Sequence, residues 1–274
     1  MKTLFDLTGK NILLTGGSGF LAEYFAMALA EAGADLALTY SRNKEKAEEL
    51  ADKVKAAHGT QAIVLPMDVT DQAGVDQAFE DVINKLGGVD VVINNAAIDP
   101  KFDPQSSAND RLFENYPEEA MQQSVQVNML GPWRVAKTAV RHMLQSGDAH
   151  QIGGRGNIIN ISSIYGVVPP HQDIYPAGTQ KPVDYGMTKA AAQYLTRYIA
   201  ATYGQQDIRS NALIVGGVLK GHDEEFQKKY GQYSMFGRMT LPEEVGAPLV
   251  FLASDASQGT TGHLLTVDGG FSAW

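Results

Sequence analysis

Apolar residues in this chain come in short, β-branched-rich runs separated by longer stretches in which they recur every three or four positions. Short runs bounded by turn residues predict strands, and the longer spacing predicts helices with one buried stripe. Seven runs fit strands: Asn11–Thr15, Asp35–Tyr40, Gln61–Pro66, Val89–Asn94, Asn157–Ser162, Ile208–Val215 and His263–Val267. Between them lie helical patterns such as Leu21, Phe25, Ala28, Leu29 and Ala32, or Lys44–His58 with Gly59 as a C-terminal stop. About six helices alternating with seven strands predict repeated βαβ units on a parallel sheet.

Two segments interrupt the rhythm. Asp99–Pro117 carries three prolines, and Val167–Asp184 carries Pro169, Pro170, Pro176 and Pro182. Both read as loops, and both follow strands, which puts them at the C-terminal edge of the sheet where open α/β folds bind ligands. No repeat or linker divides the 274 residues, so a single domain over 1–274 is expected.

Composition narrows the function. There is no cysteine, hence no disulfide framework, thiolate nucleophile or thiolate metal site. Asp and Glu outnumber Lys and Arg by 31 to 22, giving a net charge of -9 and no basic footprint for nucleic acid or an anionic membrane. No run approaches the roughly 18 apolar residues of a membrane span, and the N-terminus is too polar for a signal peptide, so a cytoplasmic protein is expected. The six histidines show no metal-ligand spacing, and no metal is expected.

The first strand runs into the first helix through Thr15-Gly16-Gly17-Ser18-Gly19-Phe20-Leu21. Small residues there let the backbone approach a pyrophosphate held by amide groups at the helix N-terminus, although a tight turn needs glycine in any case. Asp68, followed by Val69 after the third strand, is placed to accept from an adenine amino group, or to cap a helix. Asn95, Ala96 and Ala97 end the fourth strand where a nicotinamide ribose would pass, or form a turn. After the second strand, Ser41 and Arg42 stand where an acidic residue would favour NAD(H). A hydroxyl and a guanidinium suit a 2′-phosphate, which favours NADP(H), while Arg42 also reads as a solvated residue opening the next helix.

Tyr185 and Lys189 lie four apart at the start of a long helical stretch, so an ammonium sits near a phenol on one face. A fixed cation is expected to lower the phenol from its usual value near 10, fitting it to take or give a proton at a substrate oxygen. A hydroxyl pair, Ser162 and Ser163, ends the fifth strand, and a serine there can stabilise charge on that oxygen. Asn128 sits inside a helical pattern, as an ordinary interior residue or at a bend that holds water.

With these residues in place, the chain resembles the short-chain dehydrogenase/reductase family over essentially its whole length. The resemblance implies a single-domain, Rossmann-type, doubly wound seven-stranded sheet, a nicotinamide cofactor and a homotetramer or homodimer. It makes Ser163, Tyr185 and Lys189 the active-site serine, tyrosine and lysine, with Lys189 also binding cofactor ribose. Asn128 becomes the helix-bending asparagine whose backbone anchors a water. Gly216 and Val218, after the sixth strand, fall on the nicotinamide side, and Val215-Gly216 replaces the usual Pro-Gly.

Other departures concern the turn and the loops. Thr15-Gly16-x-x-Gly19-x-x-Ala22 is similar to the extended subtype of nucleotide-sugar enzymes, but only four residues follow Gly270, and the compact form is expected. Ser163 and Tyr185 are 22 positions apart, where the family commonly has about a dozen, which marks 167–184 as an insertion. That insertion and the ending through Trp274 resemble a subgroup of flagellin-modification and sialic-acid-like sugar enzymes, implying a carbohydrate-type alcohol or ketone as substrate. His171, Gln172, Asp173, Tyr175, Thr179 and Gln180 then serve either a polyhydroxylated ligand or the loop's own backbone. Residues 217–240 read as a substrate lid, with Met235 and Phe236 in its core. The other readings are a 3-oxoacyl-type ketoreductase, a nucleotide-sugar epimerase or dehydratase and, least supported, a dinucleotide sensor without catalysis.

Overall fold

Every run expected to form a strand does so in the computed structural model, which describes residues 4–99, 112–145 and 156–273. The strands are β1 Asn11–Leu14, β2 Asp35–Tyr40, β3 Ala62–Pro66, β4 Val91–Asn94, β5 Gly156–Ser163, β6 Ile208–Val215 and β7 Leu264–Val267. All neighbours run parallel in one sheet ordered β3-β2-β1-β4-β5-β6-β7. Strands β1, β4, β5 and β6 are buried along their whole length, because helices cover both faces of the sheet. Chain order reverses between β1 and β4, and a crevice opens at such a point beyond the strands' carboxyl ends.

Alternation along β1 divides the core. Ile12 and Leu14 point toward helices α1 (Phe20–Glu31), α2 (Lys44–His58) and α8 (Gly246–Ala253), packing with Phe25, Leu29 and Leu249. Leu13 points the other way, into a layer with Phe79 of α3 (Gln72–Leu86) and Val135 and Ala139 of α5 (Gly131–Gln145). Among the described residues, eight α-helical segments stand where about six were expected. Two account for the excess: α4 (Glu118–Ser124) leads into α5 through a π-helical stretch, Val125–Leu130, and α7 (Glu224–Gly231) lies in the expected lid segment. No helix of the described residues is long and apolar enough to cross a membrane.

A third cluster joins the inserted segment to the far edge of the sheet. Ile174 and Tyr175 pack with Tyr230, Met239 and Phe271, and His171 stacks on Tyr233 at 3.7 Å between ring centroids. The segment 217–240 is tied at both ends, since Val218 pairs with Thr240 and Leu219 N–H donates to Thr240 O at 2.9 Å. Tyr230 forms its buried centre. Met235 and Phe236, expected there, are instead 52 % and 69 % exposed, because this short stretch lies against Gly269 and Gly270 at the chain's last turn. Of the loop Asp99–Pro117, residues 100–111 lie outside the described residues, as does Trp274.

Candidate active site

A cleft of about 690 Å³ opens at the carboxyl ends of the strands. Phe20, Leu21, Asn95 and Ala97 line one side, and Ser163, Tyr185 and Lys189 another, with Gly216 and Val218 between them and the expected lid.

The dinucleotide side is shaped by close approach. Gly16 has φ +70°, and a Cβ there would lie 2.9 Å from Ala96 Cα; at Gly17 it would lie 2.9 Å from Leu38 Cβ. The turn is thus pressed between β2 and β4, leaving its outer surface as bare backbone. Thr15 Oγ1 accepts from the amides of Asn95 and Ala96, both at 2.9 Å, and Asn95 Nδ2 donates to Thr15 O at 2.9 Å. Two amides expected to face a phosphate are spent inside the turn: Gly17 N–H donates to Thr39 O at 2.6 Å and Gly19 N–H to Gly16 O at 2.9 Å. The first turn of α1, starting at Phe20 and Leu21, has no side-chain cap, and this suits an anion. A bare cradle beside an uncapped helix start fits a pyrophosphate.

The adenosine side is more exposed. Ser41 and Arg42 are exposed where β2 ends, and Asn43 caps α2 by accepting from Lys46 N–H at 3.0 Å. Asp68 Oδ1 accepts from the Thr70 amide and hydroxyl, each at 2.8 Å, in a local turn. The Val69 side chain is buried in the helix layer rather than in the cleft, because Gly131 of α5 packs against it. Ser18 is half-buried.

On the reacting side, β5 and α6 (Val183–Tyr203) are locked together. Ser162 Oγ donates to Lys189 O at 3.0 Å and accepts from Gln193 Nε2 at 3.1 Å. A Cβ on Gly166 would meet the backbone of Lys189 and Ala190 at 2.8 Å, and one on Gly186 would meet Tyr165 O at 2.9 Å. Both glycines let the turn after β5 press on α6, which brings the Ser163 hydroxyl into a hydrogen bond with Tyr185. Ser163 Oγ also accepts from Tyr165 N–H at 3.3 Å. Lys189 Nζ donates to Ile161 O at 2.9 Å and lies 5.6 Å from the Tyr185 ring centroid.

Electrostatics reverse one expectation. The Tyr185 phenol is pushed up from 10, first by burial and then by the Asp99 carboxylate, with the Ser163 hydrogen bond opposing. Burial likewise pulls the Lys189 ammonium down from 10.5 to about 8. Desolvation and the nearby carboxylate outweigh the Ser163 hydrogen bond, so the phenol keeps its proton at neutral pH.

Asn128 sits in the π-helical stretch with its side chain bound to protein: Oδ1 accepts from Ile98 N–H at 2.8 Å, and Nδ2 donates to Ile98 O at 2.7 Å. The side chain therefore clamps the segment after β4 to the helix, and only its backbone is left for water. Of the six polar residues in the insertion, five serve the fold. Gln172 accepts from Lys181 N–H, Gln180 from Phe113 N–H, Thr179 donates to Pro176 O, Asp173 accepts from Tyr233 and His171 stacks. Tyr175 alone of the six lines the cleft, where its hydroxyl meets that of Tyr165 at 2.9 Å.

Sequence reasoning missed Asp99, Tyr165, Lys181 and Lys220, all of which line the cleft. Asp99 and Lys181 each directly precede a proline at the margin of an element, the one available signal that their backbones are held. Among the described residues no cluster of His, Asp or Glu could hold a metal ion.

A family model described as enoyl-(acyl carrier protein) reductase matches residues 19–272. Sorbose reductase of Schizosaccharomyces pombe is 32 % identical over 275 residues, covering 99 % of both chains. L-rhamnose 1-dehydrogenase (NAD(P)+) of a Sphingomonas species is 28 % identical, covering 96 % of both. Among solved structures, a gluconate 5-dehydrogenase from Burkholderia cenocepacia in complex with NADP and tartrate superposes with a TM-score of 0.83 at 28 % identity, over 98 % of both chains. With a seven-stranded parallel sheet, a bare glycine cradle at its switch point and a serine, tyrosine and lysine gathered at the carboxyl edge, the chain belongs to the short-chain dehydrogenase/reductase family, as an oxidoreductase.

Proposed function

We propose that this enzyme interconverts a secondary alcohol and a ketone on a carbohydrate-type substrate, with Tyr185 as acid and base. The observation that carries the reading is the meeting of Ser163, Tyr185 and Lys189 in one cleft beside the glycine cradle. In reduction, Tyr185 Oη–H donates its proton to the oxygen of the substrate carbonyl. Its raised pKa keeps that proton in place at neutral pH. Ser163, whose Oγ already accepts from Tyr165 N–H, directs its own O–H toward the same oxygen and stabilises the charge growing there. Lys189, steadied by Ile161 O, stands beside the phenol to return a proton after turnover.

A nicotinamide dinucleotide, when bound, supplies or takes the hydride. Gly16, Gly17, Ser18, Gly19, Phe20 and Leu21 would hold its pyrophosphate, and Asp68 and Val69 its adenine. Asn95, Ala96, Ala97, Tyr185 and Lys189 would hold its second ribose, and Gly216 and Val218 its nicotinamide. Arg42, exposed and with no carboxylate from Thr39 to Asn43, supports a preference for NADP(H) over NAD(H).

Support for a sugar-type substrate comes from relatives named as sorbose reductase, L-rhamnose dehydrogenase and 5-keto-D-gluconate reductase. An apolar groove formed by Met129, Trp133, Tyr194 and Tyr198 on α5, α6 and the π-helical stretch supports assembly as a homodimer or homotetramer.

A panel of ketoses, polyols, β-keto esters and steroids, assayed with NADPH and NADH, tests the reading. Turnover of sugars that Tyr185→Phe abolishes, with cofactor binding retained, is the expected result. Undiminished turnover in Tyr185→Phe refutes the proton-transfer role. A cofactor preference unchanged in Arg42→Ala refutes the 2′-phosphate assignment.

A further inference from the structure

Two residues sit directly over the proton donor, and the only part given to either so far is the push of the Asp99 carboxylate on the phenol. Lys181, just before α6, brings its Nζ to 2.5 Å from Asp99 Oδ1 and 4.6 Å from the centroid of the Tyr185 ring. The lysine side chain is only 11 % exposed, packed on the ring and fixed by the carboxylate. The Asp99 side chain is 52 % exposed and lines the same cleft as Ser163 and Tyr185. One partner is thus held in place while the other keeps an open face toward whatever occupies the cleft.

Among the described residues, charge in the cleft is close to balanced. Besides tyrosines, its ionisable lining among the described residues is Asp99, Asp223, Lys181, Lys189, Lys220 and His222. Burial lowers His222, which leaves it neutral at pH 7. Two carboxylates then stand against three ammoniums. The odd one, Lys189, is buried under Tyr185 with its Nζ on the Ile161 carbonyl. Among the described residues, the remaining two carboxylates and two ammoniums cancel, and they leave no surplus positive charge to attract an acid.

Resting on the alcohol–ketone reading above, we infer that Asp99 and Lys181 form a polyol clamp that selects neutral sugars over sugar acids. The carboxylate accepts from one hydroxyl and the ammonium beside it donates to the next, the pattern that a vicinal diol meets. A substrate carboxylate in the same place meets Asp99 as a like charge and has to displace it from Lys181. Hydrogen bonds to charged groups contribute about 1.5–3 kcal/mol, so losing one lowers efficiency by about 10- to 150-fold.

The test measures kcat/KM for L-sorbose, D-fructose, 5-keto-D-gluconate and ethyl acetoacetate with saturating NADPH, in wild type, Asp99→Ala, Asp99→Asn and Lys181→Met. We expect wild type to favour the ketohexoses over the ketogluconate by about tenfold or more. Asp99→Ala should lower ketohexose efficiency by about 30-fold more than it lowers that of the keto ester, chiefly through KM, so that any effect through the Tyr185 phenol, common to all substrates, divides out. Asp99→Asn should narrow the gap between neutral and acidic sugars. A wild type that prefers 5-keto-D-gluconate overturns the clamp, as does an Asp99→Ala variant that loses all substrates equally, the mark of a merely structural pair. Failure of the underlying reading looks different: Tyr185→Phe would then still reduce ethyl acetoacetate.

Discussion

Replacing Lys189 with methionine removes a charge that the fold holds against its preference. Lys189 is 6 % exposed, and burial lowers the pKa of its ammonium from 10.5 to about 8. Each unit corresponds to about 1.36 kcal/mol, so at pH 7 the charged form costs the folded state about 3 kcal/mol relative to the unfolded chain. Below pH 8 both states are protonated and the cost is full. As pH rises from 8 to 10.5 the folded state sheds its proton first, the unfolded chain binds more protons, and the cost fades. Against this, Lys189→Met loses the bond from Nζ to Ile161 O, about 1 kcal/mol, and strands that carbonyl. The variant should be inactive yet more stable than wild type at pH 7 by about 1–2 kcal/mol, and its advantage should shrink by about 2 kcal/mol by pH 9.5. Urea unfolding of both proteins without cofactor, followed by far-ultraviolet circular dichroism at half-unit steps from pH 6.5 to 9.5, reads this difference. A stability gap that stays flat with pH refutes the argument that burial holds Lys189 near 8.

Other outcomes follow from the same geometry. The absorbance difference between wild type and Tyr185→Phe during alkaline titration should show no phenolate below pH 10, since burial and Asp99 both hold the proton on; a transition near pH 7 would contradict this. Gly17→Val places atoms within 2.9 Å of Leu38 and should weaken NADPH binding at least tenfold while costing about 1–3 kcal/mol of stability, measured by cofactor fluorescence and urea unfolding. Sedimentation should find an oligomer whose dissociation is promoted by Tyr194→Glu on the apolar groove; a monomeric wild type would remove that groove's assigned role.

The elements were legible because their signals are local. All seven strands lie within two residues of where the apolar runs put them, and Gly59 ends α2 in the left-handed conformation, φ +71°, that a stop glycine requires. Asn128, marked by its type as either an ordinary interior residue or a bend, stands in a π-helical stretch. Less legible were the partners. His171, Gln172, Asp173, Thr179 and Gln180 read equally as ligand groups or loop supports until packing gave each a protein partner.

Asp99 and Lys181 are 82 positions apart, and nothing in either neighbourhood announces their pairing over Tyr185. By itself the sequence determined the strand–helix alternation and the glycine turn and offered Ser163, Tyr185 and Lys189 as candidates, because these depend on residue type, short-range spacing and a resemblance carried by both. Tertiary structure alone decided which amides remain for a phosphate, which polar side chains face the cleft and which way the phenol's pKa moves. Those depend on desolvation and on contacts between distant segments, and a linear pattern encodes neither.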